Sequence, residues 1–253
     1  MMLKIASPLV LLILIATTAS AQLVEEYDPP RGRCCLTSSA QNLANQLQDW
    51  NELGRYYQDN ERLKAAGPVP GRVVFLGDSI TDGWKLADSF PGKPYVNRGI
   101  SGQVTSQMLV RMYPDVIALE PEVVILLAGT NDIAQNNGPQ TAEQVQDNIR
   151  AITELAHLHG IQVILCSVTP ISDYERRPMS PGRPPDQILK MNEWMRTYAG
   201  QVGAIYADYF SVLVDENGML TKGISGDGLH PNAEGYARMA PVAQAAIDEA
   251  LGR

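Results

Sequence analysis

Three short blocks of this chain contain side chains able to do nucleophilic chemistry. The first is Gly77-Asp78-Ser79-Ile80-Thr81-Asp82-Gly83, directly after the apolar run Val73-Val74-Phe75-Leu76. The second is Gly129-Thr130-Asn131-Asp132, after Val123–Ala128. The third is Asp227-Gly228-Leu229-His230-Pro231, ahead of the last helical stretch. A serine hydroxyl attacks only when a base removes its proton, and the base works best when a carboxylate fixes its tautomer. Ser79, His230 and Asp227 supply those three groups.

The base follows by elimination. The chain has three histidines, His157, His159 and His230. His157 and His159 stand at the end of a predicted helix, before a strand, where they favour the helix dipole. His230 remains, with Asp227 three positions earlier. Taken alone, Asp227 and His230 serve equally well to start the last helix. A tetrahedral intermediate also needs N–H donors for its oxyanion. Ser79 offers its own backbone N–H and Asn131 a side-chain N–H. A glycine of Asn97-Arg98-Gly99-Ile100-Ser101-Gly102 offers another, with Gly102 and Gly99 both candidates. Asn131 also suits a simple turn after a strand.

These groups need a frame that brings them together. From residue 72, apolar strands alternate with helices: strands at Arg72–Leu76, Tyr95–Asn97, Val123–Ala128, Gln162–Val168 and Ala204–Ala207, helices at Thr105–Met112, Thr141–His159, Asp186–Ala199 and Asn232–Leu251. Thr141 can cap its helix and Gly160 stops it. The alternation predicts an α/β fold with a parallel sheet covered on both faces. In such a sheet ligands bind beyond the carboxyl ends of the strands. Ser79, Gly102 and Asn131 each follow a strand, so they share that rim. Residues 170 to 185 form a long irregular stretch rich in Pro and Arg.

Ahead of this domain, taken as residues 70–253, lie three further segments. Lys4, the apolar run Leu9–Ile15 and Ala19-Ser20-Ala21 read as a cleavable signal peptide, 1–21, with cleavage after Ala21. This implies a secreted or periplasmic enzyme. Residues 22–37, with Asp28-Pro29-Pro30, read as extended. Residues 38–69 read as a helical lead-in, with helix over 38–66. Its stripe of Leu43, Leu47, Trp50, Leu53, Tyr57 and Leu63 is expected to dock on the catalytic domain.

The chain has 253 residues, 45% of them apolar and 19% charged, and a formal charge of −8. It reads as globular. The acidic balance argues against nucleic acid as a partner and against an anionic membrane surface. Leu9–Ile15 is too short to span a bilayer, so no stable membrane insertion is expected. Three cysteines, Cys34, Cys35 and Cys166, show no metal-ligand spacing. Cys166 falls in an apolar strand. Gly-x-Ser-x-Gly and Gly-x-Gly-x-x-Gly are both absent around the strand ends, which removes the usual nucleophile elbow and a dinucleotide site.

Gly77-Asp78-Ser79, Gly99-Ile100-Ser101-Gly102, Gly129-Thr130-Asn131-Asp132 and Asp227-Gly228-Leu229-His230-Pro231 occur in the order found in the SGNH (GDSL) hydrolase superfamily, which the chain resembles over roughly residues 70 to 251. Asn97–Asp132 resembles the catalytic subunits of platelet-activating-factor acetylhydrolase Ib and related bacterial acyl esterases. The resemblance implies a three-layer flavodoxin-like fold, Ser-His-Asp catalysis at Ser79, His230 and Asp227, oxyanion donors at Ser79, Gly102 and Asn131, no cofactor, and an open site. On that match Gly102 takes the role rather than Gly99. Gln103 departs from the pattern, since related sequences often carry Asp there. The expected substrate is a short-acyl ester, acetyl above all, on carbohydrate; Trp84 is a candidate for stacking on a sugar and equally for a core or rim aromatic. A lipolytic or lysophospholipase-type hydrolase is the alternative. More remote are an O-acetyltransferase and a silent carbohydrate-binding protein. Oligomeric state is not legible.

Overall fold

Four of the five strands carry apolar residues at nearly every position, because both faces of the sheet are covered, while the edge strand Tyr95–Gly99 includes Asn97 and Arg98. In the computed structural model, which describes residues 40, 43, 44 and 47–253, the chain runs through helix α1 (Tyr57–Ala66), strand β1 (Val73–Gly77), short helices α2 (Ser79–Asp82) and α3 (Leu86–Ser89), and strand β2 (Tyr95–Gly99). There follow α4 (Thr105–Asp115), a 3-10 turn (Ile117–Leu119), β3 (Val123–Leu127), α5 (Thr130–Ile133), α6 (Ala142–Leu158) and β4 (Gln162–Cys166). Then come α7 (Pro185–Val202), β5 (Ile205–Ala207), α8 (Tyr209–Leu213) and α9 (Ala233–Ala250). The strand order is β2-β1-β3-β4-β5 and every pairing is parallel.

The alternation of side chains along each strand divides the core in two. Val74, Leu76, Val124, Leu126, Val163 and Leu165 face one layer, with Met108 and Met112 of α4, Ile149 and Ile152 of α6, and Ile188 and Met195 of α7. Val73, Phe75, Val123, Ile125, Ile164 and Cys166 face the other, with Trp84, Phe90, Tyr209 and, from α9, Met239, Ala243 and Ile247. This is the three-layer α/β architecture expected. Helix α6 starts as predicted: the Thr141 hydroxyl accepts from Gln144 N–H, and the Gln144 side chain accepts from Thr141 N–H. Burial pushes the Cys166 thiol up to about 12, so it behaves as a small hydrophobe.

Two expectations are corrected. The helix expected over 38–66 is interrupted: residues 49–56 form turns, and helix resumes at Tyr57. The Asp49 carboxylate holds the break open by accepting from Leu53 and Gly54 N–H, each at 2.8 Å. Of the stripe expected to dock, Leu63 packs on the core, but Leu47, Trp50, Leu53 and Tyr57 are exposed, while Asn51 and Asn60 are buried. Asn60 accepts from the buried Arg98 guanidinium, and Asn51 O accepts from Gln103, whose own side-chain oxygen accepts from buried Arg111, so buried cations that need partners set the polar contacts here. The signal segment 1–21, the extended segment 22–37, and Cys34 and Cys35 lie outside the described residues. Among the described residues, no helix is long and apolar enough to cross a membrane.

Candidate active site

Ser79 stands at the first position of α2, immediately past the end of β1, and is half-buried. Asp78 before it makes the turn: its Oδ1 accepts Ile80 N–H at 2.9 Å. Asp78 is fully buried and its Oδ2 meets no partner among the described residues. Burial pushes its carboxyl up to about 7.

His230 Nε2 lies 2.8 Å from Ser79 Oγ, and His230 Nδ1 lies 2.6 Å from Asp227 Oδ2. A carboxylate on Nδ1 fixes the proton there and leaves the Nε2 lone pair toward the serine. The turn that carries both groups is over-determined. Asp227 Oδ1 accepts from Leu229 N–H at 3.0 Å, from His230 N–H at 2.9 Å and from Ser225 Oγ at 3.1 Å. Burial opposes ionisation of Asp227, but the imidazole and the two backbone N–H groups outweigh it and hold the carboxyl down at about 2. Gly228 has φ +83°, and a Cβ there would come 2.6 Å from the Ser172 carbonyl oxygen. The two segments are tied at this point, since Ser172 N–H donates to Gly228 O at 2.8 Å. Only glycine combines that conformation with that approach.

Three candidate N–H donors stand on the loops that follow β1, β2 and β3. Ser79 N–H, at a helix start, and Gly102 N–H, in a left-handed turn of φ +84°, meet no acceptor among the described residues. Gly99 N–H is committed to Asn97 Oδ1 at 2.8 Å, and Gly99 ends β2, so of the two glycines Gly102 is the one whose N–H meets no acceptor among the described residues. Asn131 is buried at the start of α5. Its Nδ2 gives one N–H to Gln103 O at 3.0 Å and keeps the second.

Arg183 was not found by sequence reasoning. It comes from the irregular 170–185 stretch and reaches Thr130 Oγ1 at 3.2 Å and Asn131 Oδ1 at 3.3 Å. Asn136 Nδ2 also donates to Asn131 Oδ1, at 2.8 Å. With two donors on its oxygen, the Asn131 amide has one sensible orientation, nitrogen toward Gln103 and the rim. The only forward signal for Arg183 was the length of its loop.

Ser79, Asp82, Gly83, Ser101, His230, Pro231 and Tyr236 line an open depression of about 440 Å³. Gly83 and Tyr236 also line a neighbouring groove of about 800 Å³, with Lys85, Asp88, Ser89, Lys93 and Gln244 on its walls. The Tyr236 hydroxyl donates to Ile80 O at 2.8 Å. Trp84 is not at the surface. It is buried, stacked on Tyr236 at 5.3 Å, with Nε1 donating to Ser89 Oγ at 2.9 Å, so it cannot stack on a sugar. The arrangement has the parts for acyl transfer through a serine ester: an attacking oxygen, a base with its lone pair on that oxygen, and unspent N–H donors.

The family model of GDSL-like lipases and acylhydrolases matches residues 75–238. The chain is 30% identical over 202 residues to platelet-activating factor acetylhydrolase IB subunit alpha1 of Pongo abelii, covering 76% of this chain and 82% of that protein. It is 25% identical over 214 residues to an acetylxylan esterase of Xylanibacter ruminicola, covering 70% of this chain and 43% of that longer protein. A crystal structure of a GDSL-like lipase from Bacteroides thetaiotaomicron superposes with a TM-score of 0.72 at 37% identity, covering 79% of this chain and 98% of that one.

Proposed function

Because the chain belongs to the GDSL-like lipase/acylhydrolase family, and is thereby a carboxylic ester hydrolase, we propose that it is exported and removes short acyl groups, acetyl above all, from carbohydrate through an acyl-enzyme on Ser79. The observation that carries this reading is the hydrogen-bond chain from Ser79 Oγ to His230 Nε2 and from His230 Nδ1 to Asp227 Oδ2.

Ser79 Oγ attacks the ester carbonyl as His230 Nε2 takes its proton. The carbonyl oxygen becomes an oxyanion, held by Ser79 N–H, Gly102 N–H and the free N–H of Asn131. Asp227 stabilises the imidazolium without taking its proton. The intermediate collapses, the C–O bond to the alcohol breaks, and Nε2 returns its proton to the departing oxygen. Water then attacks the acyl-serine with His230 again as base, the acyl bond to Ser79 Oγ breaks, and His230 returns the proton to that oxygen as the carboxylic acid leaves.

Short acyl groups are favoured by the walls of the depression. Serine, aspartate, glycine and histidine form most of it. A long alkyl chain seated there would stay in water and forgo about 0.8 kcal/mol for each methylene left unburied. The groove beyond Tyr236 has room and polar groups for a bulky, hydrated alcohol. The acetylxylan esterase relative supports a sugar as that alcohol, and Lys4, Leu9–Ile15 and Ala19-Ser20-Ala21 support export. Phe90, Pro91, Ala233, Ala237 and Pro241 give the same groove an apolar floor, which supports lipid-like alcohols as the second reading.

A panel of p-nitrophenyl esters from C2 to C16, with acetylated xylan and a lysophospholipid, tests the choice. The expected result is highest kcat/KM at C2 and acetate release from the glycan. A preference rising beyond C8 overturns the acetyl reading.

A further inference from the structure

The family match begins at residue 75, yet residues well ahead of it touch the catalytic rim. The loop that carries Gly102 has little backbone support of its own. Ile100 N–H donates to Gly77 O at 2.9 Å, and Gln103 N–H to Ile100 O at a long 3.3 Å. What else holds the loop comes largely from residues 51–56. The Tyr56 hydroxyl donates to Gly99 O. Gln103 Nε2 donates to Asn51 O at 3.0 Å and to Glu52 Oε2 at 3.3 Å. Arg55 pairs with Asp82 at 3.0 Å, and Asp82 in turn accepts from Ser101 Oγ at 2.7 Å.

We propose that the turn at residues 49–56 is a positioning element of the oxyanion site, acting through Tyr56 on Gly99 and through Gln103 on both Gly102 and Asn131. This rests on the reading of Gly102 and Asn131 as oxyanion donors. Gln103 is the junction. Its side chain is buried, its Oε1 accepts from Arg111 Nε at 2.7 Å, and its backbone oxygen receives the Asn131 amide at 3.0 Å. A displacement of Gln103 therefore moves Gly102 by covalent connection and Asn131 by hydrogen bond.

The residue type at 103 fits this role. An aspartate there would have no N–H to give and would be one methylene shorter. It cannot donate to the Asn51 carbonyl. Glutamine at 103 and the turn at 49–56 thus belong together. The backbone of the turn presents the matching acceptors. Glu52 adopts φ +56°, and the Asp49 carboxylate ties Leu53 and Gly54 back, which leaves Asn51 O and the Glu52 carboxylate facing Gln103. The segment is anchored from behind by Asn60, which bridges Asp115 Oδ1 at 2.6 Å and Arg98 Nε at 2.9 Å. Oxyanion donors act only when held within a fraction of an ångström of the developing charge, so loosening their support lowers kcat more than it weakens substrate binding.

The test uses the full chain with p-nitrophenyl acetate. Tyr56→Phe removes one hydrogen bond and leaves the ring in place. Gln103→Glu keeps the acceptor for Arg111 but loses the donor and faces Glu52 with a like charge. Expected are kcat losses of about fivefold for Tyr56→Phe and about tenfold or more for Gln103→Glu. KM stays within about twofold, and the pH profile keeps its shape because His230 and Asp227 are untouched. Ser79→Ala is measured alongside. If Ser79→Ala is inactive while Tyr56→Phe keeps kcat within about twofold of the parent, this proposal fails and the catalytic reading stands. If Ser79→Ala keeps full turnover, the catalytic reading fails first. If Gln103→Glu does not fold, Tyr56→Phe decides alone. A loss that follows only the folded fraction, with kcat per folded molecule unchanged, also overturns the proposal.

Discussion

Arg183 and Asn131 come from different loops, and Arg183 Nη2 lies 3.3 Å from Asn131 Oδ1. The contact joins the 170–185 stretch to the proposed catalytic rim, because it fixes the Asn131 amide with its nitrogen toward the position we propose for the oxyanion. Replacing Arg183 with Met is expected to lower kcat about tenfold and to change KM little. Arg183→Lys should not restore it, since a point charge cannot reach Thr130 Oγ1 and Asn131 Oδ1 together. Steady-state kinetics on p-nitrophenyl acetate for the pair of variants checks this; full activity in Arg183→Lys would remove the positioning role.

Ser79→Ala should leave the fold intact and reduce turnover to what the oxyanion donors and binding supply, residual catalysis of about 10³–10⁴ over water. A fluorophosphonate probe that labels the parent should not label this variant. Labelling that persists would place the nucleophile elsewhere.

Asp227→Asn reverses the hydrogen bond to His230 Nδ1 and favours the wrong tautomer. A loss in kcat on the order of 10³-fold or more is expected across the whole pH range. Since Asp227 is held at about 2 in the folded protein, it stays ionised through any ordinary assay. The acid limb of the parent profile therefore does not report Asp227. An acid limb that moves in proportion to changes around Asp227 alone would contradict this.

Asp78 gives a pH dependence of stability with the opposite sign to that of a salt-bridged carboxylate. In the folded protein its pKa is about 7, above the ordinary aspartate value of 3.8. Between those limits the folded state binds more protons than the unfolded state, so stability falls as pH rises from about 4 to 7 and is level above. A tenfold change in an ionisation constant is worth about 1.4 kcal/mol, so a cost of a few kcal/mol is expected at neutral pH. Asp78→Asn keeps an acceptor for Ile80 N–H and should flatten the slope. Urea unfolding at several pH values between about 4 and 8 reads it directly; parallel curves for parent and variant would show that Asp78 ionises freely.

Gly228→Ala should destabilise the protein by about 2 kcal/mol or more, because the new Cβ meets both a disfavoured φ and the Ser172 carbonyl. The Asp227–His230 turn must shift to relieve it, so kcat should fall with stability. A stable, fully active variant would mean the turn has room the distances deny.

Groups next to strand ends were legible in the sequence. Ser79, Gly102 and Asn131 follow β1, β2 and β3, and the rule that ligands gather at carboxyl ends of parallel strands needs no coordinates. His230 came from counting histidines. What failed were inferences that depend on which surface a residue meets. The apolar period of Leu43 to Leu63 suggested a docking face, but of its later members only Leu63 packs on the core, and Asn51 and Asn60 take buried places against Gln103 and Arg98. Trp84, five residues after the serine, suited either a sugar or the core, and the chain turns it into the layer of Phe75 and Phe90. Arg183 was invisible because no local pattern fixes the path of a long irregular stretch. Gln103 was visible as a departure, and its meaning required knowing that Asn51 stood opposite.

The side chains of Asp227 and His230 are 48% and 41% exposed. A catalytic trio standing on a rim sets a different constraint from one at the bottom of a tunnel. A polymer need not thread an end past a gate; an ester anywhere along its length can be laid across the edge from the side. For the acetylated glycan we propose as substrate, that geometry would let esters at interior units react with the backbone left uncut.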